Sequence, residues 1–108
     1  LALARFFLTL VNKEATRMKM TMLQFLQVAI ILAQRYNCSV TSWFRTPSRN
    51  KRVGGHPNSA HIGGFALDLV PDNPAVKASL IDDAHEAGLD AIDEGHHVHI
   101  EVDPSNQA

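Results

Sequence analysis

The chain has 108 residues, so one domain spanning 1–108 around one core is the expected organisation, and 45% apolar with 19% charged residues excludes a disordered or fibrous class. Ten basic against 11 acidic side chains give a formal net charge of -1, and Lys13, Arg17 and Lys19 alone do not make a nucleic-acid footprint. The single cysteine, Cys38, excludes an internal disulfide framework and a thiolate metal cluster, and Gln24, Gln27, Gln34 and Arg35 interrupt the longest candidate for a membrane span.

Leu1 to Leu10 is apolar like the heart of a signal peptide but lacks a basic leader and a small-residue cleavage site, so it is expected to belong to the fold. The first residue is Leu, which leaves room for a longer parent chain. From Thr21 to Tyr36, Met22, Leu23, Leu26, Ala29, Ile30 and Ala33 recur at helical spacing and predict an amphipathic helix. Cys38 to Phe44 is rich in Val, Thr, Ser and aromatics and predicts a strand, with Cys38 a small buried hydrophobe at its start and Trp43 and Phe44 core residues. Thr46-Pro47-Ser48 marks a turn. Residues 45 to 64 show no period and predict a long loop, a feature that in a small domain is usually functional.

Phe65 to Val70 alternates between Gly64 and Pro71, a strand with Phe65, Leu67 and Leu69 on one face and Ala66, Asp68 and Val70 on the other. Asn73-Pro74 opens a second helix with Val76, Leu80, Ile81 and Ala84 as its stripe and Gly88 as its stop. After a short apolar piece, Leu89 to Ile92, the segment His97 to Val102 alternates strictly. His97, His99 and Glu101 share one face, and Val98, Ile100 and Val102 the other. The order helix, strand, loop, strand, helix, strand predicts an α+β domain with a small antiparallel sheet packed against helices.

Six histidines is a high count, and they cluster: His56 with His61, and His96, His97 and His99 together. His61 and Asp68 cannot be neighbours on one helix, because seven residues rise ~10.5 Å and Gly63-Gly64 break it. A loop feeding a strand can join them. Zinc accepts imidazole nitrogen and carboxylate oxygen, and a catalytic site takes three protein ligands plus water. His61 and Asp68 with His99 from the late strand satisfy that requirement, whereas His56 and His85 read as solvated.

Ser59-Ala60-His61-Ile62-Gly63-Gly64-Phe65-Ala66-Leu67-Asp68 reproduces the pattern S-x-H-x-x-G-x-A-x-D. Ser42-Trp43-Phe44-Arg45-Thr46-Pro47 is similar to an arginine-bearing S-G-Y-R-[ST]-P segment, and His97-Val98-His99-Ile100-Glu101 to a late H-x-H strand. In that order, across residues 42 to 101, the chain resembles the LAS group of zinc peptidases. That group includes D-alanyl-D-alanine carboxypeptidases, phage endolysins cleaving L-alanyl-D-glutamate bonds and the hedgehog signalling domain. The resemblance implies a hedgehog- or D,D-peptidase-like fold, Zn2+ on His61, Asp68 and His99, and peptidoglycan stem peptides as substrate. It implies action at the bacterial cell wall, by a wall-remodelling enzyme or by a phage-encoded or virion-associated protein. Arg45 would face the scissile carbonyl or a substrate carboxylate, protonated His97 would join it on the oxyanion, and Ser59 would hydrogen-bond substrate or a ligand.

The sequence departs from the family at one place. The family usually has Glu or Asp as general base three residues before the last ligand, where this chain has His96. An imidazole can take a proton from water. Asp93 and Glu94 lie just upstream, and Glu94-Gly95-His96-His97 also reads as E-x-x-H, with His97 as ligand and Glu94 as base. The contrasting expectation is a zinc-binding module of the same fold that hydrolyses weakly or not at all, since zinc retained for folding alone contributes on the order of 10 kcal/mol.

Overall fold

The computed structural model describes residues 19–108, and the apolar segment Leu1–Leu10 lies outside them. The first described helix, α1 (Met22–Arg35), starts where Thr21 and Gln24 close a capping box. Thr21 Oγ1 accepts from the Gln24 amide at 3.1 Å, and Gln24 Oε1 accepts from the Thr21 amide at 2.8 Å. It ends at Tyr36, followed by Asn37 in the left-handed region (φ 50°), where Asn substitutes for Gly at low cost. Its buried face is Phe25, Val28, Ala29, Leu32 and Ala33. The predicted stripe was rotated: Met22, Leu23 and Ile30 are exposed, because this helix is apolar around most of its circumference and periodicity alone does not choose the face.

Strand β1 (Cys38–Ser42) follows, and the expected continuation through Phe44 does not form. The Trp43 carbonyl accepts from His61 instead of joining a strand ladder. Cys38 is half-buried on this edge strand and Phe44 is 55% exposed; Trp43 packs against the core and donates its indole N–H to the Gly64 carbonyl at 2.8 Å. The expected long loop contains a short helix, α2 (Pro47–Arg52), with Thr46 as its cap and Pro47 at its first turn. The same Thr-Pro pair that signals a turn also starts a helix, and six residues are too few for a period to show.

Strand β2 (Ala66–Pro71) leads through a tight turn, Pro74–Val76, into α3 (Lys77–Glu86). Strands β3 (Asp90–Asp93) and β4 (Val98–Glu101) complete the sheet, and β3 is an element that the sequence showed only as an apolar piece. Among the described residues the order is β1-β2-β4-β3, antiparallel throughout, so the fold is α+β. No helix of the described residues is long and apolar enough to cross a membrane.

One face of the sheet, with Leu67, Leu69, Val98 and Ile100, packs against Phe25, Val28 and Leu32 of α1 and Leu80 and Ala84 of α3. The buried Asp83 of α3 ties the helices together, accepting from Tyr36 Oη and from Arg35 Nε at 3.1 Å. The opposite face carries the polar alternates: Asp68 sits opposite His99, Ala66 opposite Glu101, and Ser42 opposite Asp68. An irregularity between Val40 and Ser42 adds one residue to β1 and sets that last pairing.

Gly64 joins the two halves of this arrangement. Its φ is +80°, and a Cβ there would lie 2.6 Å from Met22 Sδ. Gly64→Ala should therefore lower the unfolding free energy by about 1–2 kcal/mol from backbone strain alone. Urea denaturation checks this, and an unchanged midpoint with an unchanged slope would contradict it.

Candidate metal centre

His61 lies at the end of a turn-rich segment, with its own amide bonded to Ser59 Oγ at 3.2 Å and its carbonyl accepting from the Arg45 amide at 3.0 Å. The segment is thereby pinned to the end of β1. His61 Nδ1 donates to the Trp43 carbonyl at 2.7 Å, which directs Nε2 at Asp68 Oδ1, 3.4 Å away. From β4, His99 brings Nδ1 to 3.0 Å from the same Asp68 oxygen, and its Nε2 donates to Glu101 Oε1 at 2.9 Å. The His61 and His99 rings meet edge to face, with centroids 5.1 Å apart. Asp68 is only 4% exposed and His61 3%.

This donor set fits a divalent cation of the zinc type. One atom each from His61, Asp68 and His99 lies within 4.8 Å of the others, and tetrahedral ligands at ~2.1 Å from zinc stand ~3.4 Å apart. The chemistry agrees. The outer nitrogen of each imidazole is committed as a donor, so in the neutral tautomers both inner nitrogens present lone pairs to a carboxylate. Such a cluster requires a proton or a cation at its centre. Glu101 behind His99 and the Trp43 carbonyl behind His61 are the outer partners that fix the orientation of metal-binding imidazoles.

Without metal the proton takes that place. Burial pushes the Asp68 carboxyl up, but hydrogen bonds from His61 and His99 with the nearby His97 outweigh it and hold the group well below the usual carboxylate range. The hydrogen bond to Asp68 raises His99 to about 8, against burial and helped by Glu101.

Arg45 reaches the other side of the carboxylate, with Nη2 3.7 Å from Asp68 Oδ2. It is held by Ser42 Oγ at 3.2 Å and by Asn50 Oδ1 at 3.3 Å. Asn50, buried in α2, in turn donates to the His56 carbonyl at 2.8 Å. His97 points its Nε2 at Asp68 Oδ1 from 3.6 Å and bonds Glu94 Oε1 at 3.0 Å, and that carboxylate oxygen is 3.8 Å from His99 Nδ1. Asp68, Glu94 and His97 form a second group close enough to share an ion.

The fold thus brings together His61, Asp68, His99, Arg45, His97 and Glu94. It leaves His96 outside. Glu94 and His97 close a tight turn, with the Glu94 amide donating to the His97 carbonyl at 2.9 Å and Gly95 at φ +90°, so His96 stands exposed at the tip. Asp93 accepts from Lys77 Nζ at 3.2 Å and from the Gly95 amide at 2.9 Å, which uses it to build the hairpin. Ser59 supports the His61 amide and borders a groove of about 420 Å³ that Glu101 also lines. His56 and His85 are exposed and outside the cluster. Sequence reasoning assigned no role to Asn50, the Trp43 carbonyl or Glu101; of these only Glu101 carried a signal, being two residues from His99 on the same strand face.

The pH behaviour follows from His99. Its pKa is higher in the folded chain than its ordinary 6.5, so its contribution to metal-free stability is full below about 6.5 and is lost as pH rises through about 8. Chelator-treated protein should lose about 2 kcal/mol across that interval. Asp68 is shifted the other way, so its contribution is present above 3.8 and is lost as pH falls through its low folded value. Zinc must displace the His99 proton, so its affinity, followed by chelator competition, should rise with pH and level off above about 8. A flat affinity from pH 6 to 9 would contradict the assignment. Glu101→Gln should weaken zinc binding by about 10–100-fold in the same measurement.

Comparison with known families agrees with this geometry. The family model described as Peptidase M15 matches residues 8–101, a span containing every residue of the cluster. No curated protein and no solved structure matches the chain. Zinc peptidases make up that family, and the α+β fold found here is compatible with theirs. With most of its length matched, the chain belongs to the M15 peptidase family.

Proposed function

We propose that this protein hydrolyses peptide bonds in the stem peptides of bacterial peptidoglycan, as a D,D-carboxypeptidase or an L-alanyl-D-glutamate endopeptidase acting at the cell wall, in a bacterial or a phage-borne setting. The observation that carries the reading is the convergence of two oriented imidazoles and a buried carboxylate at one point, with a second carboxylate, Glu94, at its solvent side. His61 Nε2, Asp68 Oδ1 and His99 Nδ1 would hold the zinc. Bound Zn2+ supplies Lewis acidity, bringing the pKa of water toward ~7 and polarising a carbonyl oxygen.

The chain's own side chains divide the remaining work. Glu94 is the group placed to accept a proton from the attacking water and to return it to the leaving amine, a role worth about 10²–10⁴-fold in rate. His97 Nε2, 3.0 Å from Glu94 Oε1, positions that carboxylate. Arg45, braced by Ser42 and Asn50, offers a fixed cation to the developing oxyanion or to a substrate carboxylate. Glu94 takes over here the part that family members assign to the position occupied by His96.

The test uses zinc-loaded protein and peptidoglycan fragments. Cleavage is expected, with His61→Ala abolishing it and Glu94→Gln lowering kcat by about 10²–10⁴-fold while zinc stays bound. His96→Ala should leave kcat within about twofold. Full activity after metal removal would refute the proposal. Stoichiometric zinc with no cleavage of any fragment would establish the zinc-binding module instead.

A further inference from the structure

A second groove lies on the β1 side of the metal centre, and the chemistry above leaves most of it unused. It has a volume of about 380 Å³ and is lined by Ser42, Trp43, Phe44, Arg45, Arg49 and Val53, among others. Ser42 and Arg45 belong to both places, since Arg45 bonds Ser42 and approaches Asp68. The groove thus adjoins the centre through Arg45. The groove combines apolar area with positive charge: Phe44 is 55% and Val53 46% exposed, and Arg49 stands beside them on α2.

The charge of Arg49 is not neutralised within the described chain. Its side chain makes no ion pair or hydrogen bond among the described residues, nor do those of Lys51 and Arg52 on the same helix. In the sequence no Asp or Glu occurs between Glu14 and Asp68. From Asp68 onward the balance reverses: Lys77 is the only Lys or Arg, and Glu94 and Glu101 stand beside His97 and His99 on the β3–β4 side of the centre. A peptide lying across the centre thus meets cations at one end and carboxylates at the other.

We propose that the groove is a substrate subsite for a carboxylate-bearing residue of the peptide, with Arg49 as its anion-binding side chain. Arg45 adds to the positive field there, and Phe44 and Val53 pack against the aliphatic stem of the same residue. The proposal rests on the peptidase reading for its occupant.

Trp43 is the chain's only tryptophan and lines the groove, so its fluorescence reports occupancy without turnover. The zinc-loaded full chain carrying Glu94→Gln, in which turnover is suppressed, would be titrated with N-acetyl-Ala-Glu-amide and N-acetyl-Ala-Gln-amide, which differ only in the charged group. The Glu peptide is expected to bind about tenfold tighter. Arg49→Gln, at an exposed helix position, should abolish the difference, and Arg49→Lys should restore part of it. In turnover, the same variants should change KM for acidic substrates and leave kcat in place. Equal binding of the two peptides, or a preference that persists in Arg49→Gln, overturns the subsite. Arg49-dependent preference without any peptide-bond cleavage supports the subsite while removing the peptidase reading; cleavage without the preference does the reverse.

Discussion

Asp68 and His99 face each other across adjacent antiparallel strands, and the carboxylate they share with His61 is almost entirely removed from solvent. A one-residue slip between β2 and β4 would turn Asp68 into the apolar layer and Leu67 onto the open face. What prevents the slip is the other side of the same strands. Leu67, Leu69, Val98 and Ile100 are each buried against α1 and α3, and each such side chain contributes ~1.5–3 kcal/mol. The hydrophobic core therefore aims the polar ligands, since both sets alternate on one backbone.

Aiming does not by itself make a usable site. The imidazoles also need defined tautomers, and these come from groups outside the donor set: the Trp43 carbonyl behind His61 and the Glu101 carboxylate behind His99. Trp43 can serve because β1 stops pairing at Ser42, after an extra residue has shifted its register. The same irregularity leads into Arg45, whose guanidinium is then braced from α2 by a buried Asn50. Segment 45–64 is thus an ordered structure of caps and turns whose interior partner is the site itself.

The hairpin between β3 and β4 decides which acidic side chain lies beside the His61, Asp68 and His99 cluster. A two-residue turn at Gly95-His96 places Glu94 and His97 directly opposite each other, so residues three apart meet without a helix. His96 stands exposed at the tip. Asp93, one residue from Glu94, points to the other face, as strand alternation demands, and bonds Lys77.

Much of this was legible in the order of residues. Alternation in 65–70 and 97–102 sorted core from polar side chains, Thr21 marked the start of α1, Asn73 capped the turn leading into α3, and His61, Asp68 and His99 made up a zinc-type donor set. Other features depended on partners that spacing does not reveal. Helix α2 and strand β3 are too short to show a period; α1 is apolar on too many sides to announce its buried face; and whether Glu94 or His96 lies beside the cluster turns on the hairpin at Gly95. The reason is common to all of them. Local covalent geometry determines which way a side chain leaves its own element, so the sequence alone determined the element types and the ligand candidates. Which atoms of different elements meet depends on register, on the extra residue in β1 and on a two-residue turn, and those were decided only when the strands paired over a shared core.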